Sequence, residues 1–300
     1  MASLLVVVLS FACGVWLRKS PRLPPGAHKA LNAFILDIAL PAVVLRAIPR
    51  LPFDATLLAA AAMPWLVFFL AFALLWPLGR ALGLDKGTRG ALVLTAGLGN
   101  TSFVGFPMLE ALVGPEAVPV AVVIDQLGSF FVLSLPGIAL ATAWAGGAAD
   151  PKELVLRIVR FPPFVALLVG AGSIPFGGFH PVLDQALERI GGTLTPLAMA
   201  SVGLQLSLGE VRKHARALTL GLVFKLLLAP AVMAALYLST LGLNLMSRVV
   251  VLEAAMGPMI SAGIIAQERD LDPELVTLML GAGIPLSFVT VTLTSFMLGS

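Results

Sequence analysis

The chain has 300 residues, 59% hydrophobic and only 12% charged, with a formal net charge of +3 and a mean hydropathy of +1.01. A soluble domain carries roughly 25% charged residues, so this composition excludes a water-exposed globular protein and makes lipid the solvent. The basic excess lies between apolar runs and excludes nucleic acid as a partner, and Cys13, the single cysteine, excludes an intrachain disulfide and a cysteine-ligated metal.

A bilayer core needs about 20 residues of apolar helix. Ten spans are predicted, over Ala2–Leu17, Ala27–Ile48, Thr56–Gly79, Thr88–Val113, Ala117–Ala145, Glu153–Ile174, Pro181–Leu206, Ala215–Leu241, Leu245–Gln267 and Pro273–Leu298. The first is read as a span and not as a secretory leader, because Arg18, Lys19 and Arg22 follow it instead of preceding it. Loops after the odd-numbered spans, with the span ends that adjoin them, hold 14 of the 19 Lys and Arg, among them Arg80, Arg89, Arg157, Arg160 and Arg212. The other side holds Arg46, Arg50, Arg189 and Arg248. Positive charge stays in the cytoplasm, which predicts a bacterial inner-membrane protein with both termini on the outer side.

Within the fourth run, Gly97–Gly114 gathers Gly97, Gly99, Gly105 and Pro107 around Asn100-Thr101-Ser102. Glycine frees the backbone, and proline removes a donor. Backbone groups facing lipid cannot stay unpaired. A helix broken here is therefore expected to line a protein-enclosed cavity, as the broken helices of secondary transporters do. The competing reading is a kinked helix packed on small residues. The ninth run carries its own break at Met256-Gly257-Pro258-Met259, followed by Ser261. Pro41 stands 59 residues before Asn100, and Pro196 stands 62 before Pro258. Five spans per half is an odd number, so residues 1–149 and 150–300 are predicted to be inverted repeats, each with a broken fourth helix.

A broken helix exposes up to four N–H groups at its new N-terminus, where the helix dipole places about half a positive charge. Two such ends meeting face to face would hold an anion without a lysine or arginine. Asn100 would add an amide donor, and Thr101 and Ser261 hydroxyls, with Gly99, Gly257 and Pro258 shaping the breaks. Leu40 and Pro41, and Thr195-Pro196, are expected to wall the cavity. Ionisable residues inside a span need a reason. Asp125, beside Gln126 and roughly 12 Å into the fifth span, is the expected proton-coupling residue; the competing reading is a structural carboxylate. Lys225 would neutralise the half-helix C-termini or pair with Asp125, and Glu253 is also placed within the membrane.

The segments Asn100-Thr101-x3-Gly105-x-Pro107-x-Leu109 with Gly114, then Pro230-Ala231-Val232-Met233-Ala234, then Glu253-Ala254-Ala255-Met256-Gly257-Pro258, and Glu268-x4-Pro273 span the chain in order. In these it resembles the auxin efflux carrier family, which includes the plant PIN carriers and bacterial carboxylate permeases, within the bile acid/sodium symporter-like superfamily. The resemblance implies an all-α membrane protein of ten helices in two inverted five-helix repeats, with helices four and nine broken and crossing. It further implies a scaffold of helices one, two, six and seven, a moving transport domain of the other six, and elevator-like movement of organic anions by a homodimer. Gly99 stands where plant members carry proline, and only Ala145–Lys152 joins the halves. These departures point away from auxin as the cargo.

The expected function is secondary active transport of a small carboxylate, with no cofactor or metal and with H+ or Na+ as the coupling ion. An intramembrane enzyme is disfavoured: there is no His-Glu-x-x-His motif, and His28, His180 and His214 are read as lying in connecting segments. The alternative is a ligand-gated channel or receptor that uses the same site.

Overall fold

The structure, a computed structural model, describes residues 2–24, 26–51, 55–206 and 211–299, without the side chains of Ala55 and Arg212. Arg212, one of the bases used above to orient the chain, is thus outside the described side chains. All regular elements among the described residues are helical. They are α1 (Ala2–Leu17), α2 (Ala27–Arg50), α3 (Ala55–Ala81), α4 (Lys86–Gly97), α5 (101–112), α6 (Ala117–Trp144), α7 (Pro151–Arg160), α8 (Pro162–Phe176), α9 (Pro181–Gly191), α10 (Leu194–Gln205), α11 (211–241), α12 (Leu245–Ala254), α13 (Ile260–Glu268) and α14 (Pro273–Met297).

Five of these, α2, α3, α6, α11 and α14, are each long and apolar enough to cross a membrane, and α7 with α8 makes a sixth if that pair, bent by 61°, is one span. The fourth, seventh and ninth predicted runs are interrupted, at 98–100, 192–193 and 255–259. The sixth run bends at Phe161, which precedes two prolines. Their rings exclude the helical region for it, and it takes φ −74° and ψ 115°. Pro196 does not kink a helix; it lies in the first turn of α10, where no N–H partner is required.

Pro41, Pro107 and Pro230 leave their helices continuous. Each stands two residues beyond a π turn, at Ile35–Ala39, Thr101–Gly105 and Phe224–Leu228 respectively. A π turn bonds across five residues instead of four, so it gives the ring room and spares the missing donor. The fourth run therefore breaks ahead of Pro107, and the glycines on either side of Leu98 do the breaking.

The helices pack in two groups. In the first, α1 lies along α10, and α2 lies along α8 and α9. In the second, α3 lies against α4 and α6, α11 against α12, and α14 against α4, α11 and α13. Glycine sets the approach of α1 and α10: a Cβ on Gly14 would strike the carbonyl oxygen of Ala200, and one on Gly203 that of Phe11. In the second group the Tyr237 hydroxyl donates to Ala59 O at 2.5 Å. Trp76 stacks on Trp144 at 4.9 Å, with the Arg89 guanidinium 4.4 Å above the Trp76 ring. Of the histidines expected in connecting segments, His180 precedes α9 as its cap, whereas His28 and His214 lie inside α2 and α11.

Candidate functional site

The interruptions in the fourth and ninth runs meet. Gly99 and Pro258 form an isolated antiparallel bridge. Asn100 N donates to Gly257 O at 2.8 Å, and Met259 N donates to Leu98 O at 3.0 Å. The bonds thus fall on the flanking residues. Pro258 occupies the non-hydrogen-bonded position, where its missing N–H costs nothing. Each break satisfies part of the other, which lets unwound backbone persist deep in an apolar bundle. Approach is close at both glycines. A Cβ on Gly99 would lie 3.1 Å from Lys225 Nζ, and one on Gly257 would lie 2.9 Å from Ile284 Cα.

Asn100, only 2% exposed, caps α5: its Oδ1 accepts a hydrogen bond from Phe103 N at 3.2 Å. A backbone N–H must meet an oxygen, so the cap fixes the orientation of the amide. Its Nδ2 is buried without a partner. On the other side of the crossover, α13 starts with no side-chain cap, leaving its first-turn N–H groups unclaimed by any side chain. Asn100, Ile260 and Ser261 line one chamber of ≈ 140 Å³, together with Ser102, Asp125 and Ser134 of the same packing group. Leu36 of α2, Arg157 of α7 and Phe161, which follows α7, complete the lining. The Phe130 and Phe161 rings stack at 4.2 Å. Ser134 Oγ is a second buried polar atom without a partner.

Beside the chamber lies a buried charged cluster. Asp125 Oδ1 accepts from Thr101 Oγ1 at 2.5 Å, and Oδ2 accepts from Gln126 Nε2 at 2.7 Å. Thr101 therefore turns to Asp125 and does not line the chamber; Ser102 takes that place. Lys225 Nζ donates to Ala254 O, the last carbonyl of α12, at 2.9 Å. Of its two expected roles, the structure places it at the half-helix C-terminus, where a cation meets the negative end of the dipole. Glu253 is fully buried, both of its oxygens lack a hydrogen-bond partner, and it lies within electrostatic range of Asp125 and Lys225. Gly105 makes room for it: a Cβ there would be 2.6 Å from Glu253 Oε1.

Leu40 and Pro41 do not reach the chamber; Leu36, one turn earlier, does. Further along α2, Val43, Arg46 and Arg50 line a second cleft of ≈ 730 Å³ with Glu110, Glu188, Thr195 and Pro196. Leu40 and Pro41 thus stand between two cavities. Arg46 pairs with Glu188 and Arg50 with Asp184, each at 2.7 Å, and Thr195 Oγ1 donates to Glu110 at 3.4 Å. Sequence reasoning missed Arg157, Ser134 and the Phe130–Phe161 pair. Phe161 follows Arg157 by four residues in the sequence, but no spacing in the chain marks Ser134 or Phe130 as their neighbours.

Apolar helices enclosing a polar chamber at two mutually bonded helix breaks define an integral membrane protein of the transporter class. The chain belongs to the family described as "Membrane transport protein", whose model matches residues 1–153 and 151–295; this is the family of the auxin efflux carriers that its motifs resemble. It is 29% identical over 274 residues, 89% of this chain and 88% of the other, to an "Uncharacterized transporter" of Methanothermobacter thermautotrophicus. A second "Uncharacterized transporter", from Methanocaldococcus jannaschii, is 27% identical over 60% of each chain. A Rhizobium meliloti protein named "Putative malonate transporter" is 26% identical over 70% of this chain and 68% of its own.

Proposed function

We propose that the protein is a secondary active carrier of a small carboxylate and that the crossover chamber is its binding site. The observation that carries this is the Asn100 amide: one end is fixed as a helix cap, and the other is a buried donor without a partner. A buried unpaired donor costs about 1–3 kcal/mol, a cost that an anionic oxygen in the chamber would offset. The uncapped start of α13 adds partial positive charge to the same space. At ≈ 140 Å³ the chamber is well below the roughly 300 Å³ at which pockets for drug-sized ligands begin, which favours an acid of a few carbons. The Rhizobium relative named for malonate agrees with that size and charge.

The ten helices form two inverted repeats, residues 1–149 and 150–300. Support comes from reciprocal packing, α1 on α10 and α2 on α8. In this assignment α1, α2 and α7–α10 are the scaffold, and α3–α6 with α11–α14 are the transport domain. The chamber wall is divided between them, as an elevator-type motion requires. Asp125 is the coupling carboxylate, carrying H+ or interacting with Na+, with Gln126, Lys225 and Glu253 as its electrostatic surroundings. The protein sits as a homodimer in the inner membrane, with both termini outside.

Counterflow separates a carrier from a ligand-gated channel. Proteoliposomes preloaded with unlabelled malonate should accumulate labelled malonate transiently and saturably. Flux that rises linearly with concentration, without exchange, would establish the channel instead.

A further inference from the structure

We propose that Arg157 is the specificity-determining residue of the crossover chamber, reading a second negative charge on the cargo so that a dicarboxylate is preferred to a monoanion of the same size. This rests on the carrier reading above and adds a residue and a selectivity to it.

Arg157 lines the same chamber as Asn100 and Ser261. Arg46 and Arg50 are occupied by Glu188 and Asp184, whereas no carboxylate pairs with Arg157 among the described residues. The acid inside the chamber, Asp125, has its oxygens engaged by Thr101 and Gln126. Arg157 therefore brings a fork of donors, without an ion-pair partner among the described residues, to the lining of a chamber whose own carboxylate is already satisfied. Its geometry matches a carboxylate bidentately. Asn100 and the start of α13 provide for one carboxylate of a cargo. A chamber this small then brings the far end of a three- or four-carbon acid to Arg157.

The arginine is also positioned. Phe161, four residues on and just past the end of α7, stacks on Phe130 of α6. The 61° bend at Phe161-Pro162 turns α7 away from the line of α8. The competing role is a solvated charge on an amphipathic helix touching lipid phosphates. Such a role would be indifferent to the charge of the cargo.

The test uses the full-length protein with malonate and malonamate, its monoamide, which share a skeleton and differ by one charge. Binding is measured by calorimetry and transport by counterflow. Wild type should prefer malonate at least tenfold. Arg157→Gln should lower malonate affinity to the malonamate level while changing malonamate less than twofold, and Arg157→Lys should keep part of the preference. The side chain is exposed, and an unchanged melting temperature verifies folding. Equal losses for both acids, no loss for either, or a wild type without preference would overturn the proposal. Asn100→Ala run in parallel separates the two levels. If it loses both acids, the carrier site stands whatever Arg157 does; if it transports both normally, the carrier site itself is wrong.

Discussion

Lys225 is the residue whose loss should be felt most in the crossover. It is 1% exposed, it donates to Ala254 O at 2.9 Å, and it is the cation beside buried Glu253. Lys225→Met keeps the length of the side chain and removes both the donor and the charge. Removing one partner of a buried charge set costs about 3–5 kcal/mol, a figure that includes the roughly 1.5–3 kcal/mol of the charge-assisted hydrogen bond. At roughly 2.1 cal/mol/K of unfolding entropy per residue, each kcal/mol moves the melting temperature of a 300-residue chain by about 1.6 °C, so the expected drop is about 5–8 °C. Thermal unfolding in detergent, followed by tryptophan fluorescence, reads it directly. The double variant Lys225→Met/Glu253→Gln should recover more than half of the loss, because the uncompensated carboxylate goes with its cation. A single variant within about 2 °C of wild type, or a double variant less stable than the single, would refute the assignment of Lys225 as the counter-charge of the α12 terminus and Glu253.

Asp125→Asn should abolish the dependence of uptake on a pH gradient while preserving exchange, measured in proteoliposomes with and without the gradient; unchanged dependence removes Asp125 from coupling. Asp85, outside the spans, caps α4 by accepting from Thr88 N at 2.9 Å, and that hydrogen bond is the main cause holding its carboxyl below the usual range. A folded value lower than the unfolded one stabilises fully above about pH 4 and is lost as pH falls through the folded value. Asp85→Ala should therefore cost about 1 kcal/mol at neutral pH, with the difference in melting temperature from wild type closing in acid; a constant difference would contradict the titration.

How far the sequence could be read depended on what each feature needed. The breaks at 98–100 and 255–259 follow from local chemistry, glycine freedom and a proline without a donor, and local chemistry is visible in a single chain. That the breaks bond to each other, Asn100 N to Gly257 O and Met259 N to Leu98 O, was only implied by family resemblance, since it joins residues more than 150 positions apart. Pro107 misled, because a π turn before it takes up the irregularity within a continuous helix. Thr101 looked like a ligand hydroxyl, but its rotation toward Asp125 depends on the packing of α5 against α6. Arg157 was legible only as loop charge. Its place in the chamber comes from tertiary packing, which brings α7 and Phe161 against α6.

The most direct measurement is malonate counterflow by Asn100→Ala, beside wild type at equal reconstitution and with matched melting temperatures. If the unpartnered amide holds the cargo, saturable exchange disappears while the protein remains folded. Exchange at the wild-type rate would contradict the assignment of the crossover chamber as the binding site.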